Sequence, residues 1–331
     1  MINKNLVFLS YGNEQEYLRA VFSILSLSSW VPPELFIGKQ NRFRIIVYTD
    51  NPAYFQEHLP KLEIEYFLLT TTILDEMVGD TGFFHRRKVC VIDQTFKKYS
   101  DQDLLFIDTD TFFYTVPNKL LVPFNMSNSF MHVREYAIEK GVDVFAAFRQ
   151  EEYPKAFVDY ITKNTFIVNN KEESFSPKSY CWNSGVLGLD SNFGKLIPDV
   201  LNLTDKFYAN SKWFISEQLA FALVLQKRGN IEATDDLIYH YWGKRQKAMM
   251  SILIKQLFQQ KSPSELINSR TIRSLTKKWK TMISNDVILE QAVISLQQRY
   301  WLFGIRKAVQ IIMKDPFNKK MYKELINAAV A

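Results

Sequence analysis

The sequence predicts an α/β fold: a mostly parallel sheet flanked by helices, with a basic helical extension at the C-terminal end. Three observations lead there. Short apolar runs alternate with helix-spaced segments over residues 6–107, a rhythm that favours parallel strands joined by helical crossovers. One of those runs, at 103–107, ends in a pair of carboxylates, Asp108 and Asp110. The charge is also divided along the chain. Residues 244–331 hold 17 Lys and Arg against 5 Asp and Glu, whereas 1–243 hold 24 against 30. A nearly neutral body with a basic tail is the expected organisation, with domains at 1–245 and 246–331.

Each element follows from local pattern. Residues 6–10 form an apolar run closed by Tyr11-Gly12-Asn13-Glu14, and read as a strand. Leu18, Val21, Phe22 and Leu25 recur at helical spacing over 17–27, and Pro32-Pro33 ends that helix. The β-branched run Arg44-Ile45-Ile46-Val47-Tyr48 is a second strand, closed by Thr49-Asp50-Asn51-Pro52, and 62–69 is a third. Residues 88–96 read as a helix, 103–107 as a buried strand, 186–189 as a strand and 216–226 as a helix. The stretch 124–180 reads as irregular and aromatic, an insertion around a second substrate. Residues 238–242 are short and aromatic. From Gln246 onward the pattern is basic amphipathic helix, and Ser262-Pro263-Ser264-Glu265 is a helix start.

Apolar residues make up 47 % of the 331, enough for a sizeable core. Only two cysteines occur, Cys90 and Cys181, so neither a disulfide framework nor a thiolate metal cluster is expected, and a reducing compartment is. Cys181 reads as a small buried residue without chemistry. The first apolar run is four residues, 6–9, shorter than a signal peptide needs, and no window approaches the ~18 apolar residues of a spanning helix. A cytoplasmic protein is the expectation.

The sharpest motif is Leu104-Leu105-Phe106-Ile107-Asp108-Thr109-Asp110. Residues i and i+2 of an extended chain face the same way, so the two carboxylates can converge on one divalent ion, and hard oxygen ligands suit Mn²⁺ or Mg²⁺. Such an ion neutralises the charge on a departing diphosphate. The plain alternative is an Asp-Thr-Asp turn after a core strand. Further on, Trp182-Asn183-Ser184-Gly185 precedes an apolar strand, and Ile238-Tyr239-His240-Tyr241-Trp242-Gly243-Lys244 groups an imidazole, a glycine and an ammonium. Histidine ligates Mn²⁺ and lysine binds phosphate. A packed core histidine is the competing account of His240.

In order and spacing this set resembles the GT-A glycosyltransferases, most closely the family 8 group of lipopolysaccharide galactosyltransferases and glycogenin. That family carries a strand ending in DxD, then an NSG segment, an acid beside Gln, and HxxGxxK. Here these are Asp108/Asp110, Asn183-Ser184-Gly185, Glu217-Gln218, and His240 to Gly243-Lys244, within about residues 5–245. The resemblance implies a GT-A (Rossmann-like) fold and transfer of a hexose-type sugar, with retention, from a UDP-sugar to a glycan or glycolipid. It implies Asp108 on ribose and metal, and Asp110 and His240 as direct ligands to Mn²⁺ or Mg²⁺. Asn183, Glu217 and Gln218 would surround the anomeric carbon, where an oxocarbenium-like transition state is stabilised by nearby oxygens. Tyr11 and Asn13 match the uridine-binding start of the family. Asp50 is a candidate for the base, and Arg87 and Lys88, in the run His85-Arg86-Arg87-Lys88, for the sugar or diphosphate. Each of these has a loop or solvated-surface alternative. Lys244 follows Gly243 directly rather than at the family spacing, so Arg245 is a second candidate for the phosphate. Glu217 stands where the family generally has Asp. Trp182 and Trp242 are candidates for stacking on the acceptor.

Competing classes have specific weaknesses. A haloacid-dehalogenase-type phosphatase wants Thr or Val where Phe112 stands, and a later Gly-Asp metal motif. A nucleotidyltransferase wants a Gly-rich loop after the first strand. A basic nucleic-acid or membrane adaptor whose α/β body has lost catalysis is a further alternative, and the presence of both carboxylates and His240 speaks against it. Nucleic-acid binding wants cations interleaved with exposed aromatics. In the tail, Ile272, Leu275, Trp279, Met282 and Ile283 form an apolar helical stripe beside Arg270, Arg273, Lys277, Lys278 and Lys280. Such a helix suits an anionic membrane surface contacted through 262–331, each cation contributing about 1 kcal/mol. Packing of the stripe on the catalytic body is the alternative. A peripheral site at the inner face of the membrane follows from the first account.

Overall fold

A computed structural model describes residues 3–36, 42–125, 127–146, 148–267 and 269–330. Thirteen strands occur among them. These are β1 (Lys4–Leu9), β2 (Phe43–Thr49), β3 (Ile64–Leu68), β4 (Asp103–Ile107), β5 (Thr111–Phe113), β6 (Asn128–Met131), β7 (Arg134–Ala137), β8 (Phe166–Val168), β9 (Lys171–Glu173), β10 (Tyr180–Trp182), β11 (Val186–Leu189), β12 (Asn230–Ala233) and β13 (Ile238–His240). The helices are α1 (Glu14–Trp30), α2 (Pro52–His58), α3 (Thr71–Val78), α4 (Arg86–Lys98), α5 (Asn118–Leu121), α6 (Gly141–Ala146), α7 (Glu152–Lys163), α8 (Ile197–Ser211), α9 (Ser216–Arg228), α10 (Lys244–Gln260), α11 (Pro263–Leu266), α12 (Arg270–Gln297), α13 (Trp301–Lys314) and α14 (Lys319–Val330).

The central sheet has seven strands in the order β12-β6-β11-β4-β1-β2-β3. β1, β2, β3 and β4 run parallel, as does β12 with β6, while β11 is antiparallel to both neighbours. The sheet is buried on both faces, which is why its inner strands read as continuous apolar runs. Alternation still sorts the side chains. Val7, Ile46, Tyr48, Leu104 and Phe106 enter one core with α4, α7, α8 and α9. Leu6, Phe8, Ile45, Val47, Leu105 and Ile107 enter the other with α1, α10 and the first half of α12.

The expected strands and helices of the first part are present, each within a few residues of its pattern. The reading of 124–180 as irregular is corrected. β6 joins the central sheet there, and β7, the β8–β9 hairpin, α6 and α7 fill the rest. These strands are three or four residues long, too short to show periodicity. The helix start at Ser262 makes a capping box but drives only the single turn of α11, and Ser269 opens α12 separately.

The tail stripe faces inward. Ile272, Trp279 and Ile283 are buried in the α1 core, Trp279 against Phe22, so this face is not open to a membrane. Membrane contact through the α12 stripe is therefore corrected. Beyond residue 288 the last helices form a small core of their own around Leu289, Leu296, Ile311, Met321 and Leu325. Among the described residues no helix is long and apolar enough to cross a membrane. Cys90 and Cys181 are free thiols.

Candidate active site

Strand pairing assembles the site at the carboxyl end of β4, where ligands of open α/β sheets sit. β4 ends at Ile107, and the chain turns through Asp108, Thr109 and Asp110 into β5. The two carboxylates thus converge through a turn rather than along an extended strand, with the Thr111 hydroxyl donating to the Asp108 carbonyl at 2.8 Å. β5 pairs antiparallel with β13, setting Thr111 opposite His240, and the Tyr241 N–H donates to the Asp110 carbonyl. On the other side β11 pairs with β4, and the Asp108 N–H donates to the Gly185 carbonyl at 2.8 Å. Three segments far apart in sequence meet here for topological reasons.

Asp108, Asp110 and His240 each offer a ligand atom, all within 4.8 Å of one another. The hydrogen-bond network fixes the imidazole tautomer. Asn183 Oδ1 accepts from the Gly185 N–H and so is the oxygen. His240 Nδ1 lies 2.8 Å from it and therefore donates its proton there. Nε2, 3.2 Å from Asp110 Oδ1, is left as a lone pair facing a carboxylate unless a proton or a cation lies between them. Two carboxylates and such an imidazole are a fitting donor set for Mn²⁺ or Mg²⁺.

The Asn183-Ser184-Gly185 segment has a physical reason at every position. Asn183 orients His240. Ser184 donates from its N–H to Gln218 Oε1 and from its hydroxyl to Glu217. A Cβ at residue 185 would sit 2.2 Å from the His240 ring, so only glycine fits.

Two ammonium groups bracket the carboxylates. Lys88 Nζ lies 2.9 Å from Asp108 and 3.7 Å from Glu217. Lys247 Nζ lies 2.8 Å from Asp110. Burial alone would push the Asp110 carboxyl up, but His240 and Lys247 hold it well below the usual carboxylate range. Asp108 is pushed up by burial, which Lys88 only partly opposes. Burial would lower Lys88, yet Asp108 and Glu217 keep it above its ordinary value.

The other expected residues divide into those that line the site and those that shape it. A cavity of about 360 Å³ runs from Tyr11 past His85 and Lys88 to the carboxylates. A second, of about 540 Å³, continues from the carboxylates past Asn183, Glu217 and Gln218 to Trp242. Asn13 and Asp50 line neither. Asn13 caps α1 by accepting from the Gln15 and Glu16 N–H groups. Asp50 accepts from the Gly12 N–H and the Tyr17 hydroxyl, holding the loop that carries Tyr11. Arg87 also lines neither, donating instead to the Tyr11 hydroxyl and the Leu74 carbonyl. Lys244 is exposed and outside both cavities, and Arg245 is bonded to Asp286 and Glu324. Trp182 is core, whereas Trp242 is 55 % exposed.

Sequence reasoning missed two participants. Lys247 reaches Asp110 because helical side chains slant toward the helix N-terminus, so the fourth residue of α10 covers its start. That rule, applied to the helix following Gly243, was the available signal. Glu135 lies on β7 and lines the second cavity. It accepts from Cys181 Sγ at 3.4 Å, Asn183 Nδ2 at 3.5 Å and Gln218 Nε2 at 3.1 Å. Burial raises its pKa against these donors. Its lone position in a stretch read as irregular offered no signal. Cys181 is buried, as expected, and its thiol donates to this carboxylate.

Comparison with protein-family models finds no match for the chain, and none is found among curated proteins. Solved structures to which it is similar include the apo form of mouse xyloside xylosyltransferase 1, at 14 % identity and TM-score 0.42 over 70 % of this chain and 85 % of that one. The glycosyltransferase GlyE of Streptococcus pneumoniae TIGR4 aligns at 10 % identity and TM-score 0.42 over 80 % of this chain, which spans 64 % of GlyE. The galactosyltransferase LgtC, solved with donor and acceptor sugar analogues, aligns at 11 % identity and TM-score 0.43 over 77 % of this chain and 95 % of that one.

Proposed function

We propose that this chain is a glycosyltransferase. It moves a hexose-type sugar, with retention, from a UDP-sugar to a glycan or glycolipid acceptor, assisted by Mn²⁺ or Mg²⁺. The observation that carries the reading is the convergence of Asp108, Asp110 and His240, with both carboxylates lining the two cavities and His240 the second. When bound between these ligands, the cation supplies neutralisation of the diphosphate leaving group. Lys88 and Lys247 bring two ammonium groups to the same place, which suits an anionic diphosphate. Lys247 takes the phosphate role that the motif resemblance assigned to Lys244. Tyr11 offers its ring to the base, held by Arg87, and Asn13 and Asp50 stiffen its loop. Glu217 and Gln218 face the transferred sugar with Asn183. The Oε2 atom of Glu217 is buried without a partner, and a sugar hydroxyl would satisfy it. Retention rests on the motif resemblance.

The membrane contact of this reading moves from α12 to α13. Leu302, Ile305, Val309 and Met313 recur at spacings of three, four and four, on the side opposite the buried Gly304 and Ile311. Leu302 is 89 % exposed and Phe317, just beyond the helix, 92 %. Arg306, Lys307, Lys314, Lys319 and Lys320 flank the stripe. An exposed apolar stripe edged by cations suits an anionic leaflet, and so a peripheral position at the inner, cytoplasmic face.

The reading is tested with a panel of UDP-, GDP- and ADP-sugars, each with Mn²⁺, Mg²⁺ or EDTA. Thermal stabilisation and slow donor hydrolysis are expected with a UDP-sugar and metal together. No response from any donor with either metal rejects the reading.

A further inference from the structure

A third cavity, of about 620 Å³, lies beyond the two that meet at the carboxylates. It shares Phe148, His240, Trp242 and Gln291 with the second cavity, so the space is continuous around the Trp242 ring. Its floor is β13 and its far wall is α12, presented through Lys280, Ser284, Val287 and Gln291. The stripe of α12 that packs on α1 holds this wall in place.

Trp242 and Phe148 are 55 % and 59 % exposed at the junction. Burying either ring would gain about 2 kcal/mol, so two such rings left open beside one groove point to an occupant. The groove is not an acyl-chain slot. Gln246, Ser284, Glu290 and Gln291 supply donors and acceptors along it, and Gln246 already donates to Glu290 at 2.9 Å. Aromatic planes edged by amides and carboxylates match a pyranose ring, whose C–H face is apolar and whose rim is hydroxylated.

We infer that this groove is a second saccharide subsite, so that the acceptor is an oligosaccharide at least two rings long, its reacting end in the second cavity and its next ring between Trp242 and α12. The inference rests on the glycosyl-transfer reading and adds the length of the acceptor. It also gives α12 a role in substrate binding.

Trp242 and Trp301 are the two exposed tryptophans among the described residues, the other four being buried. The buried rings emit a steady background, so in a Trp301→Phe background the change in intrinsic fluorescence on saccharide binding reports on Trp242, which lines the groove. Titration with lactose and maltose is compared with galactose and glucose. A disaccharide is expected to bind at least about tenfold more tightly than its monosaccharide, because the second ring adds a stacking contact. Ser284→Leu, which fills the groove from the α12 side without adding a fluorophore or an aromatic plane, is expected to reduce the disaccharide to the monosaccharide affinity. Trp242→Ala, followed by saturation-transfer NMR, is expected to do the same. Equal affinities in the unaltered groove, no saccharide response, or a disaccharide response that survives Ser284→Leu overturns the subsite. UDP binding with Mn²⁺ is measured in parallel on the parent protein. Its absence beside an intact disaccharide response counts against the donor reading alone.

Discussion

The two ends of the central sheet carry the same kinds of residue and use them in opposite ways. At the amino ends of β1 and β4 lie a buried lysine and a buried carboxylate, Lys4 and Asp103. Lys4 Nζ donates to the Leu120 and Val122 carbonyls at 2.6 and 2.7 Å and sits 3.4 Å over the Phe124 ring. Asp103 accepts from the Phe124 and Ser191 N–H groups. The hydrogen bonds of both groups there go to backbone, and both side chains are buried. At the carboxyl ends, Lys88, Lys247, Asp108 and Asp110 are matched chiefly with one another, and all four line a cavity. Charges matched with each other in an open cavity can exchange partners when an ion or a phosphate arrives. Charges matched with backbone cannot. Ionisable residues at a strand end become a site only when the fold leaves them facing space.

The largest expected effect is at the open end. Asp110→Asn keeps the shape and removes a charge at the metal position, so metal-dependent turnover should fall about 10³-fold or more while the chain stays folded. Donor turnover within a few-fold of the parent would return the open end to a structural role.

The closed end should respond in stability alone. Burial lowers Lys4 from 10.5 to about 7, with Asp103 partly opposing. Since the unfolded chain binds the proton more tightly, folding is penalised fully below pH 7. The penalty is relieved as pH rises toward 10.5. Stability should therefore climb by about 2 kcal/mol between pH 7 and 9, and Lys4→Met should flatten that climb. Denaturant melts at the two pH values measure it. A parallel shift in both proteins would mean that Lys4 carries no such cost.

The smallest effect on stability is expected at the exposed stripe of α13. Leu302→Ser with Phe317→Ser should change unfolding free energy by less than about 0.5 kcal/mol, since neither side chain is buried. Flotation with anionic vesicles should nevertheless fall, and should fall with salt in the parent. Unchanged recovery with vesicles would assign the stripe to another partner.

The open end was largely legible in the sequence, because apolar runs of four or more residues announce β1, β2, β4 and β11, and the site motifs sit at or near their ends. What was not legible depends on contacts between short segments. β5 and β13 are three residues each, yet their pairing is what brings His240 to Asp110. Lys247 and Glu135 were missed because their roles come from a helix slant and a four-residue strand. The apolar tail face was seen on α12, where cations are densest, but an amphipathic stripe does not say which surface it meets. On α12 it meets α1, and on α13 it meets nothing among the described residues.

In the proposed function His240 joins metal and nucleotide at the open end. Isothermal calorimetry of UDP with saturating Mn²⁺ and with EDTA, on the parent and on His240→Ala, tests it directly. UDP binding that depends on Mn²⁺ is expected in the parent, with a loss of roughly tenfold or more in both UDP and Mn²⁺ affinity in His240→Ala. Equal UDP affinity with Mn²⁺ and with EDTA, or an unchanged affinity in His240→Ala, would contradict it.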